Sequence, residues 1–391
     1  MNLFVSCGEV SGDLYAADFI TEVLARAPEL QGNVWGMMGP RAGAACRDPG
    51  GRPRWSYEEL KLMGILEVIP ALPRVLRLRR AMVQAIMERR PGAAVLIDSP
   101  DYHLPLAAAL RRAGYAGRIV SLIPPTVWAW RSGRVKNLRR DFDLCLPLFS
   151  FEHKFLLERG ARSLWSAHPL VWNLRGCVVP EALQRRLEGA RPIALIPGSR
   201  RYDIRFHLDI LLGAADLLRG EGYLPVFSVA PGLSPDLAEE LRARVPERGF
   251  ETWEGEGREL MAACLAVAGV SGTVAVEAML LRRFMVVIYN MNPVTKAILS
   301  RLVRIPHISI PNLLLETGKR ADTSVYPELL CRDATPEGIV RELRRYLDAP
   351  ALREETDRRL EAARGFMGTG NAAAFWAERV LELMGGQPPG A

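Results

Sequence analysis

The chain of 391 residues contains no apolar run approaching the ~18–20 residues that a membrane-crossing helix needs, which excludes an integral helical membrane protein. Paired cysteines are missing too. Cys7, Cys46, Cys145, Cys177, Cys264 and Cys331 stand far apart, with no C-x-x-C pair and no clustering with the five histidines. That spacing argues against a disulfide scaffold and fits a reducing compartment. No two of His, Cys, Asp or Glu show ligand spacing with a third member, so no metal and no cofactor are expected. The opening MNLFVSCGEVSGD has no basic stretch and meets Glu9 and Asp13 early, so no secretory signal is expected there. Low-complexity tracts and internal repeats are absent. No GxxxxGK[ST] phosphate loop occurs, which counts against ATP or GTP hydrolysis.

Hydrophobic residues make up 49% and charged residues 24%, the balance of a chain that packs cores, not of a disordered one. Domains cluster near ~100–200 residues, so two of similar size are expected. The net charge of +7 is unevenly placed. Residues 71–90 hold six Arg against one Glu, and residues 131–140 add five basic groups and no acid. Such concentration suits nucleic acid, an anionic membrane surface or phosphorylated substrates, although a solvated helix face would explain one run alone.

Short apolar runs alternate with helical patterns, the signature of parallel sheets wrapped by helices. Strands are predicted at 2–7, 34–39, 93–98, 118–123, 143–148 and 161–166, with helices from Ala16 to Leu24 and near 72–89 and 103–113. Residues 170–190 carry no strong strand pattern and form the candidate linker. The same grammar restarts with strands at 192–198, 223–230, 265–270 and 284–289. Helices are predicted from about 199 to Arg219, at 273–281, 293–303 and 336–347, and twice more before the end. The expectation is an α/β protein of two Rossmann-like, doubly wound parallel-sheet domains facing a central cleft that holds the active site.

Glycine turns at strand ends are the first site candidates, because open parallel sheets bind ligands there. Gly8-Glu9-Val10-Ser11-Gly12-Asp13 lacks the GxGxxG spacing and the later ribose acid of a dinucleotide fingerprint. Pro197-Gly198-Ser199-Arg200-Arg201 combines amides able to approach an anion, a hydroxyl and a guanidinium matched to phosphate oxygens. Ser271-Gly272-Thr273 opens a helix whose amides and dipole attract a diphosphate, and Glu277, one turn in, is placed to accept both hydroxyls of a ribose. Together they indicate a sugar nucleotide; a capped helix start explains each one singly.

Asp98 ends a predicted strand and is the candidate general base, with Asp101 three residues on; helix capping is the alternative for either, supported by Pro100 as a first-turn residue. Residues 124–131, Pro-Pro-Thr-Val-Trp-Ala-Trp-Arg, form an aromatic and basic turn. His168, in Ala167-His168-Pro169, reads from the residues alone more readily as a satisfied, partly buried side chain than as a contact. At about 100° per residue, Val75, Leu78, Met82 and Ile86 fall on one stripe with Arg74, Arg77 and Arg80 opposite. Met63, Ile65, Leu66, Val68 and Ile69 precede them. An apolar patch bordered by arginines fits a membrane surface, and packing on the sheet is the alternative.

In order along the chain, residues 8–13 (GEVSGD), 63–68 (MGILEV), 97–101 (IDSPD), 127–131 (VWAWR), 197–200 (PGSR), 271–277 (SGT…E) and 311–314 (PNLL) are similar to the motifs of the lipid-A-disaccharide synthase family. These are inverting, metal-independent glycosyltransferases of the two-domain GT-B type. The resemblance implies transfer of 2,3-diacylglucosamine from UDP-2,3-diacylglucosamine to 2,3-diacylglucosamine 1-phosphate (lipid X). It implies catalysis by Asp98 and UDP binding by Gly198, Ser199, Arg200, Ser271, Gly272, Thr273, Glu277 and Asn312. Glu9, Ser11, Asp101, Trp130, Arg131 and His168 become acceptor or sugar contacts. Met63, Ile65, Leu66, Val68, Ile69, Arg74, Arg77 and Arg80 become lipid contacts of a cytoplasmic protein peripheral on the inner membrane. The chain departs from the family pattern at Ala167, at Asn290 and at His103, where many relatives carry Asn.

Domain boundaries are expected at 1–172 for an acceptor- and membrane-facing half and 173–365 for a UDP-sugar half. Residues 366–391 are expected to return to the first half or to be exchanged in a homodimer. Rivals are another UDP-GlcNAc-using GT-B enzyme of the cell envelope and a UDP-GlcNAc epimerase, for which the basic apolar segment 62–90 has no use. A non-catalytic basic RNA-binding protein is a further rival, but no recognition module is present and no nucleic acid is expected as a partner.

Overall fold

The structure is a computed structural model describing residues 1–46, 54–60, 65–129, 131–291, 307–317 and 324–386, with Val10 and residues 65–71 described as backbone only. The chain divides into two units, Met1–Trp172 with Gly368–Ala391, and Asn173–Met367.

In the first unit, β1 (Leu3–Cys7), β2 (Val34–Met38), β3 (Trp55–Ser56), β4 (Ala93–Ile97), β5 (Arg118–Leu122) and β6 (Leu144–Leu146) form one parallel sheet in the order β3-β2-β1-β4-β5-β6. β1, β2 and β4 are buried along their whole length. Helices cover both faces of such a sheet, so its strands read as continuous apolar runs instead of alternating ones. The helices that carry the argument are α1 (Val10–Arg26), α2 (Pro40–Ala45), α3 (Ile65–Arg89) and α4 (Pro100–Arg112). On one face Phe19, Ile20 and Val23 of α1 share a core with Trp376, Ala377 and Val380 of the helix Ala372–Met384. Tyr15 and Trp376 meet edge-on at 6.3 Å.

The other face is packed by Leu78, Met82 and Ile86 of α3 and by Leu106 and Leu110 of α4, against Phe4 and Leu96. Each such side chain taken from water contributes roughly 1.5–3 kcal/mol. The α3 stripe is therefore core, while Arg74, Arg77 and Arg80 are exposed. Met63 lies outside the described residues, as do the side chains of Ile65, Leu66, Val68 and Ile69. Among the described residues no helix is long and apolar enough to cross a membrane.

In the second unit, β7 (Pro192–Ile196), β8 (Leu224–Ser228), β9 (Glu251–Trp253), β10 (Ala266–Val270), β11 (Met285–Tyr289) and β12 (Glu328–Leu330) are parallel in the order β12-β11-β10-β7-β8-β9. Both sheets thus start at the centre, run two strands outward, then reverse to add three on the other side. That is the 3-2-1-4-5-6 order of dinucleotide-type doubly wound folds.

The structure corrects several expected elements. Residues 161–166 form no strand: only Ser163 bridges Cys145, and Trp165 turns away to donate its indole N–H to Leu148 O at 3.0 Å. The edge strands β3, β9 and β12, two or three residues each, had no run long enough to register. α3 begins at Ile65, earlier than predicted, and α4 at Pro100. Residues 170–190 hold two short helices, Pro169–Asn173 and Glu181–Leu187. The helix predicted at 293–303 lies outside the described residues.

Candidate functional site

Ligands of open doubly wound sheets sit outside the carboxyl ends of the strands where the order reverses. In the first unit that point lies between β1 and β4, which pair in register through Cys7 and Ile97. The chain leaves β1 through residues 8–13 and leaves β4 through Asp98, so two motifs distant in sequence become neighbours. A Cβ built on Gly12 would lie 3.8 Å from the Asp98 Cβ, and one built on Gly8 would collide with Ser99 Oγ. At position 8 the absence of a side chain is what lets the two turns close on each other, and at position 12 the turns already stand at contact distance.

Asp98 is half-buried and sits with Ser99 in left-handed backbone, at φ 55° and 46°. Non-glycine residues in that region cost about 1–3 kcal/mol each and persist only when their surroundings over-determine them. Here the Asp98 N–H donates to Leu122 O at 3.1 Å, and its Oδ1 accepts the Ser99 N–H at 2.8 Å. The Asp98 carbonyl accepts from His103 Nδ1 at 2.7 Å. Neither Asp98 nor Asp101 caps α4: Ser99 holds the N-cap position without a side-chain cap bond, and Pro100 follows as the first helical residue. Asp101 is exposed and pairs with Arg131 and Arg134, which brings together two of the expected acceptor contacts. Trp130 lies outside the described residues. Its neighbour Trp128 donates its indole N–H at 2.9 Å to Glu152, a buried carboxyl pushed up to about 7 by desolvation.

Glu9 and Ser11 are exposed at the start of α1. Asp13 of the same motif is buried, and its carboxylate takes the N–H groups of Gly39, Arg41 and Ala42, capping α2. Cys7 is no nucleophile: burial and then Asp13 push its thiol up to about 12. His168 is 2% exposed, its Nδ1 accepts the Leu170 N–H at 3.2 Å, and its ring lies 5.0 Å from that of Phe149. Burial pushes it down to about 3. His168 is therefore a neutral, buried side chain whose Nδ1 is engaged within the protein.

In the second unit the order reverses between β7 and β10. Gly198 (φ 104°), Ser199 and Arg200 follow β7, with Ser199 and Arg200 exposed. The Arg200 N–H meets Asp203 Oδ2 at 3.3 Å as the helix Arg201–Gly220 begins. After β10, Gly272 adopts φ 139°, a conformation nearly reserved for glycine, and Thr273 opens the helix Thr273–Leu280 without a side-chain cap. Glu277 is half-buried in that helix; burial raises it to about 7, against the pull of Arg258, with Glu256 adding to the rise.

Two expected nucleotide contacts are otherwise engaged. Ser271 donates its hydroxyl to Ile308 O at 3.1 Å. Asn312 is 1% exposed and fully bonded: its amide nitrogen donates to Tyr326 O and Glu328 Oε1, and its oxygen accepts the N–H groups of Val325 and Tyr326. It holds the local chain together through these four bonds. Among the described residues no three His, Cys, Asp or Glu side chains gather into a metal-holding group.

Two buried histidines have ties that the sequence reading missed. His103 links Asp98 O to Ser6 Oγ, and His207 donates from Nδ1 to Asp203 O while its Nε2 accepts the Asn290 N–H at 2.8 Å. The available signal was position: each lies within the first two turns of a helix that follows a strand-end turn.

A family model described as lipid-A-disaccharide synthetase matches residues 3–362. A lipid-A-disaccharide synthase of Myxococcus xanthus is 35% identical, covering 99% of this chain and 98% of its own length. Among solved structures, a putative UDP-N-acetylglucosamine 2-epimerase from Listeria monocytogenes superimposes with a TM-score of 0.59 at 14% identity, over 98% of this chain and 95% of its own. An α,α-trehalose 6-phosphate synthase from Burkholderia multivorans gives 0.56 at 12% identity, over 98% of each chain. These likenesses show the GT-B fold.

Proposed function

The chain belongs to the lipid-A-disaccharide synthetase family, and we propose that its two strand-end sites carry the two halves of one glycosyl transfer. It is a hexosyltransferase that moves 2,3-diacylglucosamine from UDP-2,3-diacylglucosamine to 2,3-diacylglucosamine 1-phosphate. The products are the β-1,6-linked disaccharide 1-phosphate and UDP, with inversion.

In this reading Asp98 accepts the proton of the acceptor's 6-hydroxyl as that oxygen attacks the donor's anomeric carbon. The bond to UDP breaks on the opposite side, so one displacement inverts the centre and no covalent nucleophile is needed. A well-placed base supplies about 10²–10⁴-fold. Arg200, Ser199 and the amides opening the helix at Thr273 stabilise the charge that gathers on departing UDP. Glu277 accepts the ribose hydroxyls. Glu9 and Ser11 border the acceptor beside Asp98, with Arg131 as a partner for its phosphate. The observation that carries this reading is that both sets of motifs lie at the strand-order reversals of their sheets, the places where this class of fold binds ligands.

Arg74, Arg77 and Arg80, exposed on α3, are proposed to meet anionic lipid at the cytoplasmic face of the inner membrane, with Met63, Ile65, Leu66, Val68 and Ile69 as the apolar contact. The deciding experiment incubates detergent-solubilised enzyme with both lipid substrates and EDTA, beside Asp98→Asn and Arg200→Ala. Disaccharide and UDP from the wild type, with large losses in both variants, support the reading and a metal-independent mechanism. Turnover retained in Asp98→Asn removes Asp98 as the base, and absence of UDP binding by the wild type removes the nucleotide half.

A further inference from the structure

At the strand-order reversal of the first unit, three groups form a line. Ser6, buried within β1, has its Oγ 2.9 Å from His103 Nε2, and His103 Nδ1 lies 2.7 Å from the carbonyl oxygen of Asp98. A carbonyl oxygen only accepts, so Nδ1 carries a proton. Burial holds the imidazole neutral by pushing it down to about 4. Nε2 is therefore the acceptor, and the Ser6 hydroxyl donates to it. The Asp98 carbonyl fixes the tautomer on one side, and the Ser6 hydroxyl, donating to Nε2, holds the ring from the strand on the other.

Asp98 is where such a device has an effect. It and Ser99 occupy left-handed backbone, at φ 55° and 46°, where a residue tends to relax unless it is held. His103 holds both ends of this turn: its N–H donates to the Ser99 carbonyl at 3.0 Å while its ring takes the Asp98 carbonyl. With the peptide oxygen of Asp98 fixed toward the helix, the direction in which the Asp98 side chain leaves the strand is fixed as well.

We propose that His103 is a positioning residue for the general base: oriented by Ser6, its ring N–H clamps the Asp98 carbonyl and aims the carboxylate at the acceptor hydroxyl. This rests on the reading of Asp98 as the base. The imidazole takes no proton from substrate; the two hydrogen bonds it makes are both to the protein.

The test compares wild type, Asp98→Asn, His103→Phe, His103→Asn and Ser6→Ala as full-length, detergent-solubilised enzymes, measuring kcat, both KM values, UDP affinity and Tm. Phenylalanine keeps the ring and removes both hydrogen bonds. Asparagine keeps an N–H at the position of Nδ1 and so the bond to Asp98. His103→Phe is expected to lower kcat about 10²-fold, the loss that accompanies misplacement of a reacting group by ~1 Å, with KM and UDP affinity within about twofold of wild type. His103→Asn is expected to recover most of that kcat and to keep the wild-type acid limb in its pH profile. Ser6→Ala is expected to show a smaller loss in kcat alone.

Wild-type kcat in His103→Phe overturns the proposal, as does a loss shared equally by KM and UDP affinity. No recovery in His103→Asn, or loss of its acid limb, also overturns it, the latter by making the imidazole itself the base. If His103→Phe does not fold, Ser6→Ala decides: unchanged kcat there overturns the proposal. Asp98→Asn separates the two layers. Its inactivity beside an active His103→Phe sinks only the positioning role, whereas an active Asp98→Asn sinks the general-base reading on which that role rests.

Discussion

Asn312 places its amide nitrogen 2.7 Å from an oxygen of Glu328, the first residue of β12. The same carboxylate accepts the N–H groups of Ile308 and Ser309 and the Ser309 hydroxyl. The Ile308 carbonyl in turn accepts the hydroxyl of Ser271, next to the helix start proposed for the diphosphate. A path of hydrogen bonds thus runs from the sheet edge to that turn.

Asn312→Ala leaves the Val325 and Tyr326 N–H groups without the amide oxygen they now share, and takes one of several donors from Glu328. A buried group stripped of its partner costs about 1–3 kcal/mol, so the variant is expected to lose at least ~2 kcal/mol of stability. Chemical denaturation of the two proteins measures this. An unchanged midpoint means that the network is not what holds this segment.

Glu152 makes stability depend on pH in a direction unlike most carboxylates. Burial raises it in the folded protein from the ordinary 4.5 to about 7. Between those values the folded state keeps a proton that the unfolded chain has released, so stability falls as pH rises through that window and levels above it. Glu152→Gln keeps an acceptor for the Trp128 indole without the ionisation. Its Tm relative to wild type is expected to rise from pH 5 to pH 8; a constant difference refutes the assignment.

The buried strands were legible because near-continuous apolar runs, as in AAVLI or MVVIY, have few other places to go in a chain this charged. β3, β9 and β12 were not, since an edge strand of two or three residues carries no periodicity. The turns at Gly8, Asp98, Gly198 and Ser271 were legible from glycine and polar residues directly after apolar runs. What those side chains bond to was not. Asn312 and His168 look like ligand contacts in sequence, and only the fold shows Asn312 buried with its amide bonded on both atoms and His168 buried with Nδ1 engaged. His103 reads as one more polar residue in a helix until the neighbouring strand brings Ser6 to its ring.

Glu277 is raised to about 7, mainly by burial and against Arg258. Only its ionised form accepts two ribose hydroxyls, so UDP affinity is expected to gain about tenfold from pH 6 to pH 8 beyond any change in Glu277→Gln. Taking the difference between the two proteins cancels the titration of the UDP phosphate. Titration calorimetry at both pH values checks it, and parallel pH profiles would remove Glu277 from the ribose site.

Arg74, Arg77 and Arg80 are exposed on α3, while Leu78, Met82 and Ile86 on its other side are core. Replacing all three arginines with alanine therefore changes surface charge without touching the packing, so Tm is expected to hold. A basic group near an anionic bilayer contributes about 1 kcal/mol, which makes the triple variant's loss of partitioning onto anionic vesicles roughly 10²-fold at physiological salt. Arg74 also donates to the Glu59 carbonyl at 3.0 Å, so its share is expected to be the smallest of the three. Sedimentation with vesicles of anionic and of zwitterionic lipid separates charge from apolar insertion. If the triple variant binds anionic vesicles as wild type does, the arginines of α3 are not the membrane contact. If wild type binds both vesicle types equally, charge does not recruit the protein at all.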